Sequence, residues 1–340
     1  MPFQTLLLGS KLAGLHKPLN MKIIWSLIHS LVICFVGVGC ASQPFTSYPE
    51  SSPKAPSQTA AQRPIQHAMG TTVVPTNPQR IVVLTNEATD MVLALGITPV
   101  GAVKSWAGDP YYGYIANSME DVPVLGDEMQ PNLEQIVALQ PDLIIGSKVR
   151  QGQVYDQLNA IAPTIFSETI GAPWKDNLRL YAQALNREAA AEKLLADWDA
   201  RVANLRQRIG DRGIQVSLIR FLPGNARIYL KDSFPGQIVQ EVGLQRPATQ
   251  AEAGFAKEVS FEQIPQMNGD ILFYFASNSS DSATASSPLA ATWLNHPLWQ
   301  QLEVTKRDKA YPVSDVIWTT AGGIQAANLL LDDLERYLEL

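Results

Sequence analysis

Cysteine and histidine are scarce in this sequence, and their positions exclude several kinds of site. Both cysteines, Cys34 and Cys40, lie in an apolar segment near the start, so the rest of the chain has no thiol for a disulfide framework or a zinc–thiolate cluster. Beyond residue 40 only His67 and His296 remain, which is too few for a multi-histidine metal site. We therefore expect no resident metal and no cofactor.

The motifs of common enzyme classes are missing as well. No GxSxG nucleophile elbow, phosphate-binding P-loop or GxGxxG dinucleotide motif occurs. A Ser–His–Asp triad would need His67 or His296, and His296 lies in WLNHPLW, a stretch typical of local packing. We predict that the chain is not an enzyme.

Basic charge is also in deficit. The first forty residues hold three lysines and no acid, and without them the chain has 23 basic against 32 acidic residues, a net charge of −9. A chain this acidic is a poor candidate for binding phosphate backbones, so we expect no nucleic-acid partner. With 340 residues, 46% of them hydrophobic, the chain is long enough for two domains with buried cores.

What is present begins with an export signal. Residues 21–40, MKIIWSLIHSLVICFVGVGC, place Lys22 before an apolar run and small residues before Cys40, the layout of a secretory signal peptide. The end resembles a bacterial lipobox, in which the cysteine is acylated and becomes the new N-terminus, although Gly37 stands where leucine is usual. An uncleaved anchor is the alternative, because the run approaches the roughly 20 residues that span a bilayer. We predict a signal peptide over 1–40 with lipidation at Cys40, residues 1–20 being either part of it or an over-extended start before Met21.

The next segment, residues 41–66, changes in composition. It holds five Pro, five Ser and four Gln in 26 residues, without hydrophobic periodicity. Such a composition predicts a flexible tether. An acylated cysteine followed by a tether predicts a periplasmic lipoprotein that is held at a membrane surface by its lipid.

Strands and helices then alternate in two blocks, 67–168 and 213–340. Short apolar strands separated by helical segments predict βαβ units and parallel sheets, and therefore an α/β fold. Between the blocks, apolar residues recur every three or four positions from Leu178 to Ile209, and Gly210 ends the pattern. This spacing predicts one long helix over 174–210, which acts as a rigid connector.

Basic and aromatic residues stand in or just after the predicted strands of both blocks. In open α/β sheets ligands bind beyond the carboxyl ends of the strands, where cations suit an anionic ligand and aromatic rings provide apolar walls. The alternative for each residue is an ordinary solvated cation or a core aromatic. The candidate ligand-binding residues are Lys104, Trp106, Lys148, Arg150, Arg220, Arg227, Tyr229 and Trp318.

Arg220 is the strongest of these candidates. It lies inside the apolar run VSLIRFL, which predicts a strand buried on both faces. Burying an unpaired guanidinium is costly, so Arg220 must meet either an internal carboxylate or the ligand.

Residues 67–340 resemble the solute-binding proteins of ABC importers for ferric siderophores, a group that also includes cobalamin- and haem-binding members. The resemblance rests on several segments taken together, which are HAMGTTVVPTNPQRIVVL, PNLEQIVALQPDLIIGSKVRQ, the connector helix, VSLIRF with RIYLKDSFPGQIVQEVGLQRP, VSFEQIPQMNGDILF and SDVIWTTAGGIQAANLLLDDL. It implies two Rossmann-like α/β lobes joined by a single long α-helix, with the ligand cleft between the lobes. The implied partners are a ferric siderophore and the permease of an ABC importer, and we expect a monomer.

The resemblance also assigns a role to a short segment that recurs in both blocks. NLEQI in the first block and SFEQI in the second match the family segments that carry one permease-docking glutamate on each lobe, which implies that Glu134 and Glu262 dock onto permease arginines. An ordinary exposed helix glutamate is the alternative for each.

The ligand type implied by the resemblance is a ferric siderophore of the hydroxamate or citrate-hydroxamate type, because SKVRQ and the VSLIRF arginine are similar to members that bind these complexes. Iron would then be bound only as the siderophore complex. Another iron chelate, haem or cobalamin remains an alternative ligand. A sensor that is not coupled to import and a hydrolase that degrades the siderophore are the alternative functions.

Overall fold

The computed structural model describes residues 61–276 and 288–339. The predicted signal peptide, Cys40 and most of the predicted tether lie outside these residues. The prediction of a tether up to residue 66 is wrong at its end, because residues 62–66 belong to strand β1 (Gln62–His67), which pairs antiparallel with β2 (Gly70–Pro75). Ile65 is the physical reason, since its side chain is buried in the main hydrophobic core.

The amino-terminal lobe is built on a four-stranded parallel sheet, as the alternating pattern predicts. The strand order is β4-β3-β7-β8, and all three pairings are parallel. A β-hairpin (β5 with β6) and short helices surround the sheet. The remaining elements of this lobe are β3 (Ile81–Val83), α1 (Asn86–Ala94), β4 (Gly101–Ala102), β5 (Gly126–Asp127), β6 (Gln130–Pro131), α2 (Leu133–Ala138), β7 (Leu143–Ser147), α3 (Lys148–Gln151), α4 (Tyr155–Ile161) and β8 (Thr164–Ser167), with 3₁₀ turns at Ala116–Met119 and Gly152–Val154.

The segment that joins the lobes consists of two helices, α5 (Trp174–Leu185) and α6 (Glu188–Ile209), so the prediction of one unbroken helix over 174–210 is wrong. Asn186 divides them with a left-handed backbone at φ 57°, a conformation that asparagine adopts more readily than most residues. The long connecting helix is therefore α6, whose 22 residues span about 33 Å. It packs against α5, with Trp174 and Trp198 in edge-to-face contact at 5.1 Å between ring centroids.

The carboxy-terminal lobe carries a five-stranded mixed sheet in the order β11-β10-β9-β12-β13. Strands β9, β12 and the edge strand β13 are parallel, while β10 follows β9 in a hairpin and runs antiparallel both to β9 and to β11. The elements of this lobe are β9 (Val216–Leu222), β10 (Asn225–Tyr229), α7 (Phe234–Glu241), β11 (Ala256–Val259), β12 (Ile271–Ala276), α8 (Pro288–Leu294), α9 (Pro297–Gln300), α10 (Glu303–Lys306), β13 (Ala310–Pro312) and α11 (Ile324–Tyr337), with 3₁₀ turns at Ala248–Gln250 and Phe261–Met267 and a π-helical turn at Val316–Thr320.

One hydrophobic core spans both lobes, and each lobe also has a smaller core of its own. The largest buried cluster runs from β3 and α1 through α5 and α6 to β9, β12 and α11. The last helix, α11, packs on α1, and the buried carboxylate of Asp90 in α1 accepts hydrogen bonds from the backbone N–H groups of Gln325 and Ala326. Because these N–H groups have no partner inside their own helix, Asp90 caps α11 from the opposite lobe.

Candidate ligand-binding site

A cavity of about 400 Å³ lies between the lobes, in the size range of small-molecule sites. Loops and helix starts that follow the sheet strands form most of its walls, so it occupies the place where α/β sheets bind ligands. Residues from the amino-terminal lobe and the segment after β8 line one side: Glu87, Trp106, Ala107, Glu128, Arg150, Ile170 and Gly171. Residues from the carboxy-terminal lobe line the other: Arg220, Tyr229, Phe234, Pro235, Phe255, Asp315, Thr319, Thr320, Ala321 and Gly322.

Arg150 is the cation of the amino-terminal wall. It stands in α3, directly after β7, and its Nε donates to Glu128 Oε1 at 2.8 Å. The other oxygen of the buried Glu128 accepts from the backbone N–H and the side-chain amide of Asn86 at the start of α1. Glu128 thus holds Arg150 in place, while 31% of the arginine side chain stays exposed and available to a ligand.

Arg220 is the cation of the opposite wall. Its Nη2 donates to Asp315 Oδ2 at 2.7 Å and its Nη1 to the Tyr229 hydroxyl at 3.4 Å. Burial lowers the pKa of Arg220, but Asp315 and Tyr229 act in the other direction and the net shift is upward, so the guanidinium stays charged. Within the described residues, its buried Nε has no hydrogen-bond partner. Arg220 therefore has the internal carboxylate partner that its burial requires, and it also lines the cavity.

Aromatic side chains form the apolar part of the walls. The Tyr229 ring meets Phe255 edge to face, with 5.2 Å between the centroids, and burial raises the pKa of the Tyr229 hydroxyl, so that it stays protonated. Phe255 is 57% exposed and Trp106 is 48% exposed, although both rings are large and apolar. Exposed rings at a cavity mouth are the surfaces that a bound ligand would cover.

Glu87 contributes a third carboxyl group to the cavity. It stands in the first turn of α1 and is only 2% exposed. Its oxygens accept hydrogen bonds from the Gly171 backbone N–H and the Asn177 side chain. Burial raises its pKa to about 8, against the effect of these two hydrogen bonds.

The cavity contains four of the eight ligand-binding candidates, Trp106, Arg150, Arg220 and Tyr229. Their sequence positions after or near the ends of strands brought them together, as the sheet rule predicts. Whether they contact a ligand stays a prediction.

The other four candidates lie outside the cavity, and each has another partner. Lys104 pairs with Asp127 at 3.0 Å, Lys148 with Glu168 at 2.7 Å, and Arg227 with Glu258 at 3.0 Å, all with substantial solvent exposure. The prediction for Trp318 is contradicted most directly, because its side chain is fully buried and its indole N–H donates to Asp333. Position after a strand did not distinguish these residues from the four inside.

Sequence reasoning missed the acidic members of the cavity, Glu87, Glu128 and Asp315, and the exposed ring of Phe255. One signal for Asp315 was available: a buried Arg220 requires a carboxylate, and Asp315 lies in SDVIW after a predicted strand of the same lobe. Glu128 lies in the turn of the β5–β6 hairpin and Phe255 in an irregular segment, and their places beside the cavity depend on tertiary structure.

Glu134 and Glu262 occupy matching local structures on the two lobes. Each is an exposed residue in the first turn of a short helix, capped by Asn132 in one case and by Ser260 in the other. The Ser260 hydroxyl donates to Glu262 and lowers the pKa of its carboxyl. The recurring segment therefore places one exposed carboxylate on each lobe, in the first turn of a capped short helix.

In residues 61–276 and 288–339, no group of three or more His, Cys, Asp and Glu side chains is arranged to hold a metal ion. The same residues contain no helix long and apolar enough to cross a membrane. Cys40, the predicted lipidation site, lies outside them.

Two α/β lobes with a ligand-sized cavity between them are the architecture of a bilobal solute-binding protein. The chain belongs to the periplasmic binding protein family, which it matches over residues 81–314. It is 49% identical over 297 residues to the probable siderophore-binding lipoprotein YfiY of Bacillus subtilis, an alignment that covers 85% of this chain and 91% of the relative. It is 38% identical over 266 residues to the achromobactin-binding periplasmic protein of Dickeya dadantii, covering 76% of this chain and 86% of the relative.

A solved structure agrees with this assignment. The crystal structure of Staphylococcus aureus SirA complexed with staphyloferrin B aligns with a TM-score of 0.75 and 34% identity, covering 82% of this chain and 98% of that chain. These similarities confirm the family resemblance inferred from the sequence and the fold of two α/β lobes joined by a long helix.

Proposed function

We propose that this protein captures a ferric siderophore outside the cytoplasm and delivers it to the permease of an ABC importer. The observation that carries the proposal is the cavity, in which each lobe contributes one arginine beside aromatic side chains. The family assignment and the siderophore specificities named for its relatives support the same function.

The arginines favour an anionic iron complex. Arg150 and Arg220 each have one carboxylate partner and retain further N–H donors, which suit carboxylate or hydroxamate oxygens. Because no group of three or more His, Cys, Asp and Glu side chains in the described residues is arranged to hold a metal ion, we infer that the cavity holds iron only as a finished complex, of the hydroxamate or citrate-hydroxamate type.

The two histidines in the described residues, His67 and His296, do not support a catalytic role. His67 Nδ1 accepts from the backbone N–H of Phe166, and its Nε2 lies 2.9 Å from Thr72 Oγ1. His296 accepts from the Leu298 N–H and stacks on Phe261. Both rings are thus engaged away from the cavity, and we propose binding without chemistry on the ligand.

The test of this function is a fluorescence titration of the purified protein with ferric citrate, a ferric hydroxamate, ferric staphyloferrin B, haem and cobalamin. We expect saturable binding of at least one anionic ferric complex, weaker binding of its iron-free form, and loss of most of the quenching in Trp106→Phe. Tight binding of haem or cobalamin alone, or no binding at all, would refute the proposal.

Delivery to the permease is proposed to use Glu134 and Glu262, since both are exposed on matching capped turns. Replacing both by lysine should abolish uptake of the iron complex in cells while leaving its affinity within twofold. Glu120→Lys, on another exposed turn of the amino-terminal lobe, is the matched control and should leave uptake unchanged. Normal uptake by the double variant would remove these glutamates from docking.

We also propose that Cys40 carries the lipid that anchors the protein on the outer side of a membrane. The relative YfiY is named a lipoprotein, which supports this. Mass spectrometry of the membrane fraction should find a chain that begins at an acylated Cys40. An intact 1–39 segment, or an unmodified Cys40, would contradict the proposal.

A further inference from the structure

Glu87 faces the cavity without a cation to neutralise it. Its two hydrogen-bond donors, Gly171 N–H and the Asn177 amide, are both uncharged. The two arginines of the cavity pair with other carboxylates, Arg150 with Glu128 and Arg220 with Asp315. Among the described residues, no ion pair includes Glu87. A buried carboxylate without a cation is strongly disfavoured in its ionised form.

The surrounding titratable groups add negative charge or none. Asp90 lies one turn further along α1 and is fully buried, and Glu128 approaches from the β5–β6 hairpin, so both raise the pKa of Glu87. Tyr181 on α5 contributes a hydroxyl that donates to Ser167. On the carboxy-terminal side, the segment next to Glu87 is the backbone of Gly322. The start of α1 favours an anion, but the loss of water outweighs this effect.

We propose that Glu87 takes part in ligand binding as an uncharged carboxyl group, whose O–H donates a hydrogen bond to an anionic oxygen of the bound complex. The inference rests on the proposed function and adds a specificity determinant to the same cavity. Both Glu87 oxygens already accept hydrogen bonds, and an acid proton needs an acceptor of its own. A ligand oxygen in the cavity supplies that acceptor.

The charge of the cavity follows from the same assignment. Arg150 and Arg220 balance Glu128 and Asp315, so the lining is neutral when Glu87 is protonated and carries one negative charge when Glu87 is ionised. An ionised Glu87 would both lose its donor and repel an anionic ligand. Binding is therefore coupled to one proton on Glu87.

The test measures affinity against pH from 6 to 10, using the tightest-binding ferric complex from the titration panel. In the wild type, affinity should be constant up to about pH 8, the pKa of Glu87, and fall about tenfold for each further pH unit. Glu87→Gln keeps the shape of the side chain and a neutral donor, so the affinity of this variant should not fall above pH 8. Asp333→Asn is the matched control, because it removes another carboxyl group whose pKa burial raises but which neither lines the cavity nor affects the pKa of Glu87, and it should retain the wild-type fall above pH 8.

Glutamine at position 87 requires the Asn177 amide to turn over, so folding of the variant is checked by circular dichroism. A second measurement needs neither ligand nor a binding-competent variant. Infrared difference spectra of the ligand-free wild type should show a protonated carboxyl band that disappears as the pH rises through about 8, and this band should be missing in Glu87→Gln.

The outcomes separate the two proposals. If no ferric complex binds at any pH, the proposed function fails. If a complex binds but wild type and Glu87→Gln have the same pH slope, or if the infrared band is missing at pH 7, the role of Glu87 is overturned while siderophore binding stands.

Discussion

Replacing Asp315 by asparagine should strengthen ligand binding while it weakens the fold. Asp315 holds Arg220 Nη2 at 2.7 Å, so it occupies donors that an anionic ligand would use. Asparagine keeps an oxygen that can accept from the Thr319 hydroxyl, as Asp315 does now. It removes the charge that competes with the ligand, and Arg220 is left available to the ligand.

The magnitudes follow from the burial of the pair. The Arg220 and Asp315 side chains are 16% and 8% exposed. Removing one partner of a fully buried ion pair destabilises a fold by about 3–5 kcal/mol. Because the cavity admits water, we expect a loss of about 2 kcal/mol in the free energy of unfolding, or roughly 4–8 °C in Tm. A charge-assisted hydrogen bond transferred to the ligand is worth about 1.5–3 kcal/mol, a gain of about tenfold to a hundredfold in affinity.

The assay combines thermal melting of the ligand-free protein with fluorescence titration by the ferric complex. Arg220→Lys should bind about tenfold more weakly, because an ammonium cannot reproduce the two directed N–H donors of a guanidinium. Arg227→Lys is the control, since Arg227 lies on the neighbouring strand and pairs outside the cavity, and its affinity should stay within twofold. If Asp315→Asn and Arg220→Lys weaken binding equally, Asp315 does not compete with the ligand and the reasoning fails.

Three further predictions concern the ring at the cavity mouth, pH and lobe movement. Phe255→Ala should weaken binding about tenfold in titrations and leave Tm nearly unchanged, because the ring is mostly exposed without ligand; an unchanged affinity would remove Phe255 from the site. The raised pKa of Glu87 makes its contribution to stability complete below about pH 4.5 and lost progressively as the pH rises to about 8, on the order of 5 kcal/mol. In urea unfolding the wild type should lose this stability relative to Glu87→Gln between pH 4.5 and 8, and parallel curves over that range would contradict the prediction. The shared core should limit the ligand-induced change in radius of gyration to less than a few ångströms in small-angle scattering, and a larger change would refute it.

The alternation of strands and helices was sufficient to predict the α/β lobes, because local periodicity records which faces are buried. It was insufficient at the connector. The three- and four-residue spacing continues past Leu185, and only the left-handed backbone at Asn186 shows that the helix ends there. The strand at Gln62–His67 was missed for a similar reason, since a composition rich in proline and glutamine concealed the alternation that buries Ile65.

Half of the candidate ligand-binding residues lie in the cavity, and the other half show what the sequence leaves open. Position after a strand predicts which end of the sheet a residue occupies, but not the direction of its side chain. Lys148 and Arg150 are two residues apart in α3, yet only Arg150 turns toward the cavity, because Glu128 holds it there. Trp318 packs in the core against Phe273, and Asp333 accepts its indole N–H. Such partners come from distant segments, so the sequence pattern gave no indication of them.

Because α11 packs on α1, the lobe that is synthesised first cannot complete its packing until the last helix has been synthesised. The strands of the amino-terminal sheet are complete in the chain at residue 167, but Asp90 must wait for Gln325 and Ala326 before its carboxylate has its backbone donors. The amino-terminal lobe, which is synthesised first, therefore reaches its final packing only when α11 is present. A nascent chain stopped before residue 324 exposes the α1 surface that α11 covers, which is the kind of surface that chaperones and proteases detect.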